Sequence, residues 1–429
     1  MRTWATRLKI VDADRTPVQS VNLAVGPLLT TPRLAMSPLY EQLGVRPIIN
    51  AAGTLTRLSG PALDPEVTAA MAEAATRCVR LDELHTAAGR KLAEATRAEA
   101  ALVTSGAAAG LTLSAAACMA RFDLAVMDRL PDTRSVANEI IVPRSHRNGY
   151  DHCLRAAGAR LVEVGLAERT RDPQAWEIEA AIGPQTCAVA YFAGFSPLRF
   201  DTVVEVAHRH DLPVIVDASS ALPPRANLHN FVSAGADLVC FSGGKAIRGP
   251  QASGILCGRR DLVCSAALQT WDLDVLGLLW RPPEWLIDPE IARRGVPNHG
   301  IGRGFKVGKE QIVGLLVALQ GFLNTDEAQE REALNRTAKQ IAHELSGLPG
   351  LAVTLSAGSQ GWQVVQLDVD TQVASMSALE LVARLEQLSP PVCVMQGEAE
   401  RGRAGIDPFC LLPGEAQQVV AAIRKVFGK

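Results

Sequence analysis

Leu212-Pro-Val-Ile-Val-Asp217 and Asp237-Leu-Val-Cys-Phe241 are two short apolar runs, separated by a stretch, residues 226–234, with room for one helix. Short, β-branched runs bounded by turn formers read as strands buried on both faces. Strand, helix, strand in that order is a βαβ unit, which makes the two strands parallel and brings their C-terminal ends to one sheet edge. The first strand ends in Asp217. The second runs on through Ser242-Gly-Gly to Lys245. A carboxylate and an amine thus meet at the edge where open parallel sheets bind their ligands.

The chemistry of that pair is narrow. An ammonium that is partly desolvated gives up part of its preference for the charged form and can condense with a carbonyl as a Schiff base. The nucleotide-loop alternative for a lysine after two glycines fails, because Val239 stands where the first glycine is needed and Ala246 where Ser or Thr is needed. A third element lies earlier in the chain. Ala101-Leu-Val-Thr-Ser-Gly-Ala-Ala-Ala-Gly110 is a short strand, a small-residue turn and the start of an alanine-rich helix through Met119. Helix N-termini present free N–H groups and a partial positive charge to a phosphate, here from Ser105, Gly106 and Ala107. Amine, carboxylate and phosphate cradle together point to pyridoxal 5'-phosphate, whose protonated ring nitrogen needs an anion such as Asp217.

These residues carry a family resemblance. The chain resembles the selenocysteine-synthase-like branch of fold-type I pyridoxal-phosphate enzymes, and within it the D-glucosaminate-6-phosphate ammonia-lyase group. The likeness runs from about Tyr40 to the C-terminus. It rests on Ile49-Asn-Ala-Ala-Gly-Thr54, Glu99 to Ala107, Val216-Asp-Ala-Ser219, Ser242-Gly-Gly-Lys-Ala-Ile-Arg-Gly-Pro-Gln251, and Gly300-Ile-Gly-Arg-Gly-Phe-Lys-Val-Gly-Lys-Glu310. The resemblance implies that Lys245 holds the cofactor as a Schiff base, that Asp217 pairs with the ring nitrogen and that the 105–107 turn holds the phosphate. It also implies that the loop after Asn50 approaches substrate. Two positions depart from the family pattern, Ser59 and Arg97, where glycine is usual.

Other residues have both a functional and a plain reading. His146 follows a strand at the same edge and is expected to stack on the pyridine face, although a lone histidine is as often simply hydrogen-bonded. Arg303, among Gly300, Gly302 and Gly304, suits bidentate capture of a substrate carboxylate or phosphate. Ser219 and Ser242 are expected to bond the cofactor or to leave room for it. Lys306 and Lys309 add anion contacts or start a solvated helix, and Arg248 and Gln251 shape the lysine turn.

The rest of the chain alternates strands and helices: helices near 64–76 and 82–97, strands near 139–142, 160–164, 186–192, 213–217, 237–241 and 254–257. That is the rhythm of an α/β fold with a mostly parallel sheet. The expected organisation is a poorly ordered extension over 1–35, with Met36 an alternative start, a large domain over 36–308 and a smaller α+β domain over 309–429, opened by a helix from Lys309 to Asn324. At 429 residues the chain can bury two cores. A net charge of −2 gives no reason to expect nucleic acid, and no apolar run reaches the roughly 20 residues of a membrane span. Nine cysteines without CxxC pairs suit buried thiols of a reducing, cytoplasmic setting and exclude a zinc framework.

The expected activity is elimination of a β-hydroxyl group and ammonia from a β-hydroxy amino acid or amino-sugar acid, giving a 2-oxo product. A tRNA-dependent selenium transferase and a racemase or aldolase on the same scaffold are the alternatives. The resemblance further implies a homodimer or larger homo-oligomer.

Overall fold

The computed structural model describes residues 38–166, 171, 173–195, 198–276 and 279–428. The expected N-terminal extension, and the question of a start at Met36, lie outside them. Among the described residues twelve strands form three sheets. The largest holds β2 (Ala100–Thr104), β3 (Glu139–Pro143), β4 (Arg160–Val164), β5 (Thr186–Phe192), β6 (Val214–Asp217), β7 (Leu238–Ser242) and β8 (Gly254–Gly258), in the order β2-β8-β7-β6-β5-β3-β4. All six strands expected over 139–257 are present.

Sequence alternation explains why this sheet is covered on both sides. Leu102, Ile140, Ala188, Ile215, Leu238 and Leu256 face one apolar layer, completed by the helices Ala107–Ala120 and Arg260–Leu268. Val103, Ile141, Val189, Val216, Val239 and Ile255 face the other, completed by Leu81–Thr96, Phe200–Arg209 and Lys309–Asn324. Neighbours in sequence belong to opposite layers, the period-2 rule at work.

The sheet is mostly parallel, with one exception that the sequence reading left unassigned. β8 runs antiparallel to both β7 and β2. Its cause is the length of the lysine turn: a return to a parallel neighbour needs a crossover of a dozen or more residues, and residues 243–253 contain no helix. The chain folds straight back, and the lysine is held in the bend.

A second apolar cluster is built from β9 (Leu351–Ala357), β10 (Gln363–Val369) and β12 (Arg403–Ile406), an antiparallel sheet packed on the helices Glu327–Leu345, Ala378–Glu386 and Glu415–Val426. Two features differ from the expected boundary at 309. The helix Lys309–Asn324 buries Ile312, Leu315, Ala318 and Leu319 in the core of the large sheet, so it does not open the smaller unit. Conversely β1 (Ile49–Ala51) lies parallel to β11 (Val392–Val394), and Ile49 and Ala51 sit in the second cluster. A three-residue strand carries no periodicity from which a sequence reading could find such a distant partner.

The two positions that depart from the family's glycines are both left-handed, Ser59 at φ 66° and Arg97 at φ 53°. Arg97 ends the helix Leu81–Thr96, where glycine is the residue of lowest cost. Among the described residues no helix is long and apolar enough to cross a membrane, and all nine cysteines are free. Most are buried, which pushes Cys187 and Cys257 up to about 12; Cys78, contrary to expectation, is exposed.

Candidate active site

Gly254 organises the site. It pairs with Thr104 of β2 on one side and Ser242 of β7 on the other, so the ends of those two strands stand two inter-strand spacings apart, about 10 Å. Thr104 leads into the 105–107 turn, and Ser242 into Gly243, Gly244 and Lys245. A Cβ on Gly254 would lie 2.5 Å from the Gly106 carbonyl carbon and 2.7 Å from the Ala107 nitrogen. Only a glycine lets the turn lie this close to the sheet.

The turn itself opens the helix Ala107–Ala120, with Gly106 at φ 106° and no side-chain cap. The first N–H groups of an α-helix have no intrahelical partner, which makes those of Gly106 and Ala107 candidate donors to an anion. Ser105 needs a correction. Its hydroxyl donates to the Phe305 carbonyl at 2.7 Å, so its proton ties the turn to the glycine-rich 300–308 segment and is not offered to a phosphate.

Asp217 ends β6, buried, with Oδ1 accepting the Ser219 N–H at 2.9 Å. Burial raises its pKa, with the Ser219 hydrogen bonds and the charge of Lys245 acting in the opposite direction. The contribution of Ser219 is thus to the carboxylate. Lys245 lies half-buried in the turn after β7, and burial lowers its pKa while Asp217 opposes the shift. Its Nζ donates to the Ser220 hydroxyl at 2.7 Å. Ser220 was missed in the sequence; its only signal was adjacency to Ser219. Ser242 is half-buried at the mouth of β7, next to Gly254.

Two expected roles do not survive. His146 is fully enclosed: its Nδ1 accepts the Phe192 N–H at 3.2 Å and its ring meets Tyr191 edge-on at 4.8 Å. It presents no open face on which a pyridine could stack. Asn50 is buried and engaged by its own loop, donating to the carbonyls of Gly53 and Gly60 and accepting the Ala52 N–H. It shapes that loop and does not reach for substrate. The loop does approach the lysine turn, since Gly60 packs on the Gly244 carbonyl and Gln251 bonds Thr56. Arg248 lies 4.1 Å over the Phe409 ring and pairs with Glu330 at 3.2 Å.

Arg303 pairs with Asp272 at 2.6 Å and, with Lys306, lines a cavity of about 390 Å³. Lys309 pairs with Glu310 on its own helix. Among the described residues no group of three side chains could hold a metal ion.

A lysine in the bend between β7 and β8, a buried carboxylate on the next strand and a backbone cradle two strands away fit pyridoxal phosphate in size and in charge. Fold and site together define a pyridoxal-phosphate enzyme of fold-type I. Residues 49–273 match the family described as SelA, L-seryl-tRNA selenium transferase, and the chain belongs to that family. It is 32% identical to a 5'-C-glycyluridine monooxygenase-decarboxylase from a Streptomyces species, over 90% of this chain and 91% of that one. It is 30% identical to the D-glucosaminate-6-phosphate ammonia lyase of Salmonella typhimurium, over 91% and 98%. An L-seryl-tRNA(Sec) selenium transferase of Moorella thermoacetica is 25% identical over 90% and 83%. A solved D-glucosaminate-6-phosphate ammonia-lyase superposes with a TM-score of 0.75 at 28% identity, covering 91% of this chain and 98% of that one.

Proposed function

We propose that this protein is a lyase that removes a β-hydroxyl group and ammonia from a β-hydroxy amino acid of the amino-sugar-acid type, leaving a 2-oxo product. The observation that carries the reading is the half-buried Lys245 amine, held 2.7 Å from the Ser220 hydroxyl beside the strand that ends in Asp217. When bound, pyridoxal phosphate draws electron density from the substrate Cα and so weakens its Cα–H bond.

The chain's residues supply the rest. Asp217, whose burial makes an unpaired charge costly, would pair with the protonated ring nitrogen of the bound cofactor and keep the proton there. Backbone N–H groups of Gly106 and Ala107 would hold its phosphate. Burial lowers the Lys245 pKa and enlarges the fraction of neutral amine, which takes the Cα proton at Nζ. The Ser220 oxygen keeps that amine aimed. The same proton passes to the departing hydroxyl, so the Cα–H and Cβ–O bonds break, a C=C bond forms and water leaves. The released enamine tautomerises, and a returning water replaces nitrogen at Cα, giving the 2-oxo acid and ammonia with no net oxidation.

Similarity to the ammonia lyase over nearly its full length supports this reading above selenium transfer, whose named enzymes are at 23–27%. A second reading, oxygen-dependent decarboxylation, is favoured by the 32% identity to the monooxygenase-decarboxylase. The enzyme acts as a homo-oligomer in the cytoplasm. Purified holoenzyme is tested against D-glucosaminate, its 6-phosphate, serine and threonine, with ammonia, 2-oxo acid and dissolved oxygen followed together. Ammonia and 2-oxo acid in equal amounts without oxygen uptake support the lyase. Oxygen consumption with carbon dioxide release and no 2-oxo acid defeats it.

A further inference from the structure

Arg248 follows Lys245 closely and shares its turn: the Arg248 N–H donates to the Lys245 carbonyl at 2.9 Å, and the Gly249 N–H to the Gly243 carbonyl at 2.8 Å. The Arg248 backbone is left-handed, at φ 57°. A residue with a Cβ adopts that conformation at a cost that glycine avoids. The contacts of the side chain therefore decide whether an arginine suits the place.

Those contacts are with the smaller unit. The guanidinium lies 4.1 Å over the Phe409 ring, and its Nη2 donates to Glu330 Oε1 at 3.2 Å and to the Phe409 carbonyl at 3.4 Å. Phe409 is a firm support: it is buried, its ring is stacked on Trp362 at 4.8 Å, and Asp407 Oδ1 accepts both the Phe409 N–H and Trp362 Nε1–H. Glu330 stands in the first turn of the helix Glu327–Leu345. Three residues before it, Glu327 accepts the Arg225 N–H at 3.1 Å, and the Arg225 guanidinium donates to the Thr325 carbonyl. Arg225 closes the short segment that begins with Ser220, the residue whose hydroxyl receives Lys245 Nζ. Both sides of the Lys245–Ser220 hydrogen bond are thus fastened to the start of one helix.

We infer that Arg248 is a positioning residue for Lys245: its guanidinium, held by Phe409 and Glu330, fixes the lysine turn to the helix start that also anchors the Ser220 segment, and so sets where Nζ points. This rests on Lys245 as the amine that holds the cofactor and adds the residues that aim it. A half-buried guanidinium over an aromatic face and against a carboxylate is a favourable pairing on both counts. Without it the turn is free to swing, the 2.7 Å contact of Nζ with the Ser220 hydroxyl loosens, and the amine meets more water. Burial lowers the Lys245 pKa against the opposing charge of Asp217, so added water returns the amine toward its ordinary, charged form. Condensation with an aldehyde, in which C=N forms and one water leaves, then slows for want of neutral amine.

The test mixes the full-length protein, freed of cofactor, with pyridoxal 5'-phosphate and follows the visible absorbance in time across a pH series. Arg248→Gly is expected to form the Schiff base about tenfold more slowly than wild type near pH 7, with the gap closing toward about pH 10, where the amine is neutral in both. Arg248→Lys, which keeps a cation beside Glu330 and the Phe409 ring, recovers most of the rate. Glu330→Gln, which leaves the turn's own sequence intact, slows it about threefold. Arg403→Met, which breaks a 2.7 Å pair with Asp368 elsewhere in the smaller unit, lowers the urea midpoint and leaves the rate alone. Relief of a left-handed residue alone would raise the urea midpoint of Arg248→Gly, whereas loss of the side-chain contacts lowers it. Wild-type rates in Arg248→Gly, a deficit equal at every pH, or a raised midpoint overturns the inference. Should Arg248→Gly not fold, Glu330→Gln decides, and a wild-type rate there is the refuting result. Absence of a Schiff base in the wild type itself overturns the Lys245 reading and this inference with it; a normal wild type with unaffected variants overturns the inference alone.

Discussion

Replacing Gly254 by alanine tests the geometry of the site without touching a reacting group. The added Cβ would lie 2.5 Å from the Gly106 carbonyl carbon, 2.7 Å from the Ala107 nitrogen and 2.9 Å from the Gly106 Cα, short of ordinary contact at 3.4 Å by up to about 0.9 Å. Every one of these neighbours is backbone, so no rotamer change relieves the clash. The strand cannot retreat either, because Thr104 and Ser242 pair with it on both sides. The 105–107 turn must move outward by most of an ångström, which takes a backbone N–H near 2.9 Å from a phosphate oxygen out of hydrogen-bond range. Losing one or two charge-assisted bonds is worth about 2–4 kcal/mol, or roughly 30- to 1,000-fold in cofactor Kd. Overpacking adds a general cost of about 1–3 kcal/mol in stability. Titration of apoprotein with pyridoxal phosphate and with pyridoxal separates the two effects: the phosphate ester weakens by the larger factor, the free alcohol by less than about threefold. Gly304→Ala, with no atom within 4 Å of its added Cβ, serves as the control. Equal weakening toward both compounds, or an unchanged Kd for the phosphate, refutes the assignment of this turn as the cradle.

Lys245→Ala is expected to abolish the visible absorbance of the bound cofactor and the borohydride-stable adduct, with turnover down by at least about 100-fold; retained activity would remove the lysine from the mechanism. Asp217 has a folded pKa raised by burial, so its contribution to stability is greatest below the ordinary carboxylate range and is lost as pH rises through the raised value. Asp217→Asn apoprotein is therefore expected to melt above wild type at neutral pH but not near pH 3, while its turnover falls by about 100-fold or more. For His85 the sign is opposite: its pKa is depressed from 6.5 to about 4, so stability present above 6.5 is lost as pH falls through 4, by about 3 kcal/mol. Urea unfolding of His85→Leu between pH 7 and 4 is expected to lack that slope. Arg97→Gly removes a left-handed side-chain residue at a helix end and is expected to raise stability by about 1 kcal/mol in the same assay.

Whatever depends on local pattern was readable from residues alone. The β-branched run ending in Asp217 and the apolar run ending in Phe241 read as strands, and their spacing made them a parallel pair with both groups at one edge. What depended on distant partners was not. The hydroxyl of Ser105 bonds a carbonyl 200 residues away, which converts an expected phosphate ligand into a brace. His146 and Asn50 were placed near the site by chain position, yet their polar atoms are engaged by Phe192 and by the 52–60 loop. The helix Glu327–Leu345 escaped notice because it buries only Ala338, Ile341 and Leu345, too sparse a stripe to stand out.

The pairing of β1 with β11 has a consequence for biosynthesis. Ile49 finds Val392 roughly 340 residues later, an interval of about 17–70 s at ribosomal rates of about 5–20 residues per second. Throughout that wait the segment carrying Asn50 and Gly60 has no edge to dock on, so the turn that holds Lys245 acquires its final neighbours only as translation of the polypeptide draws to a close.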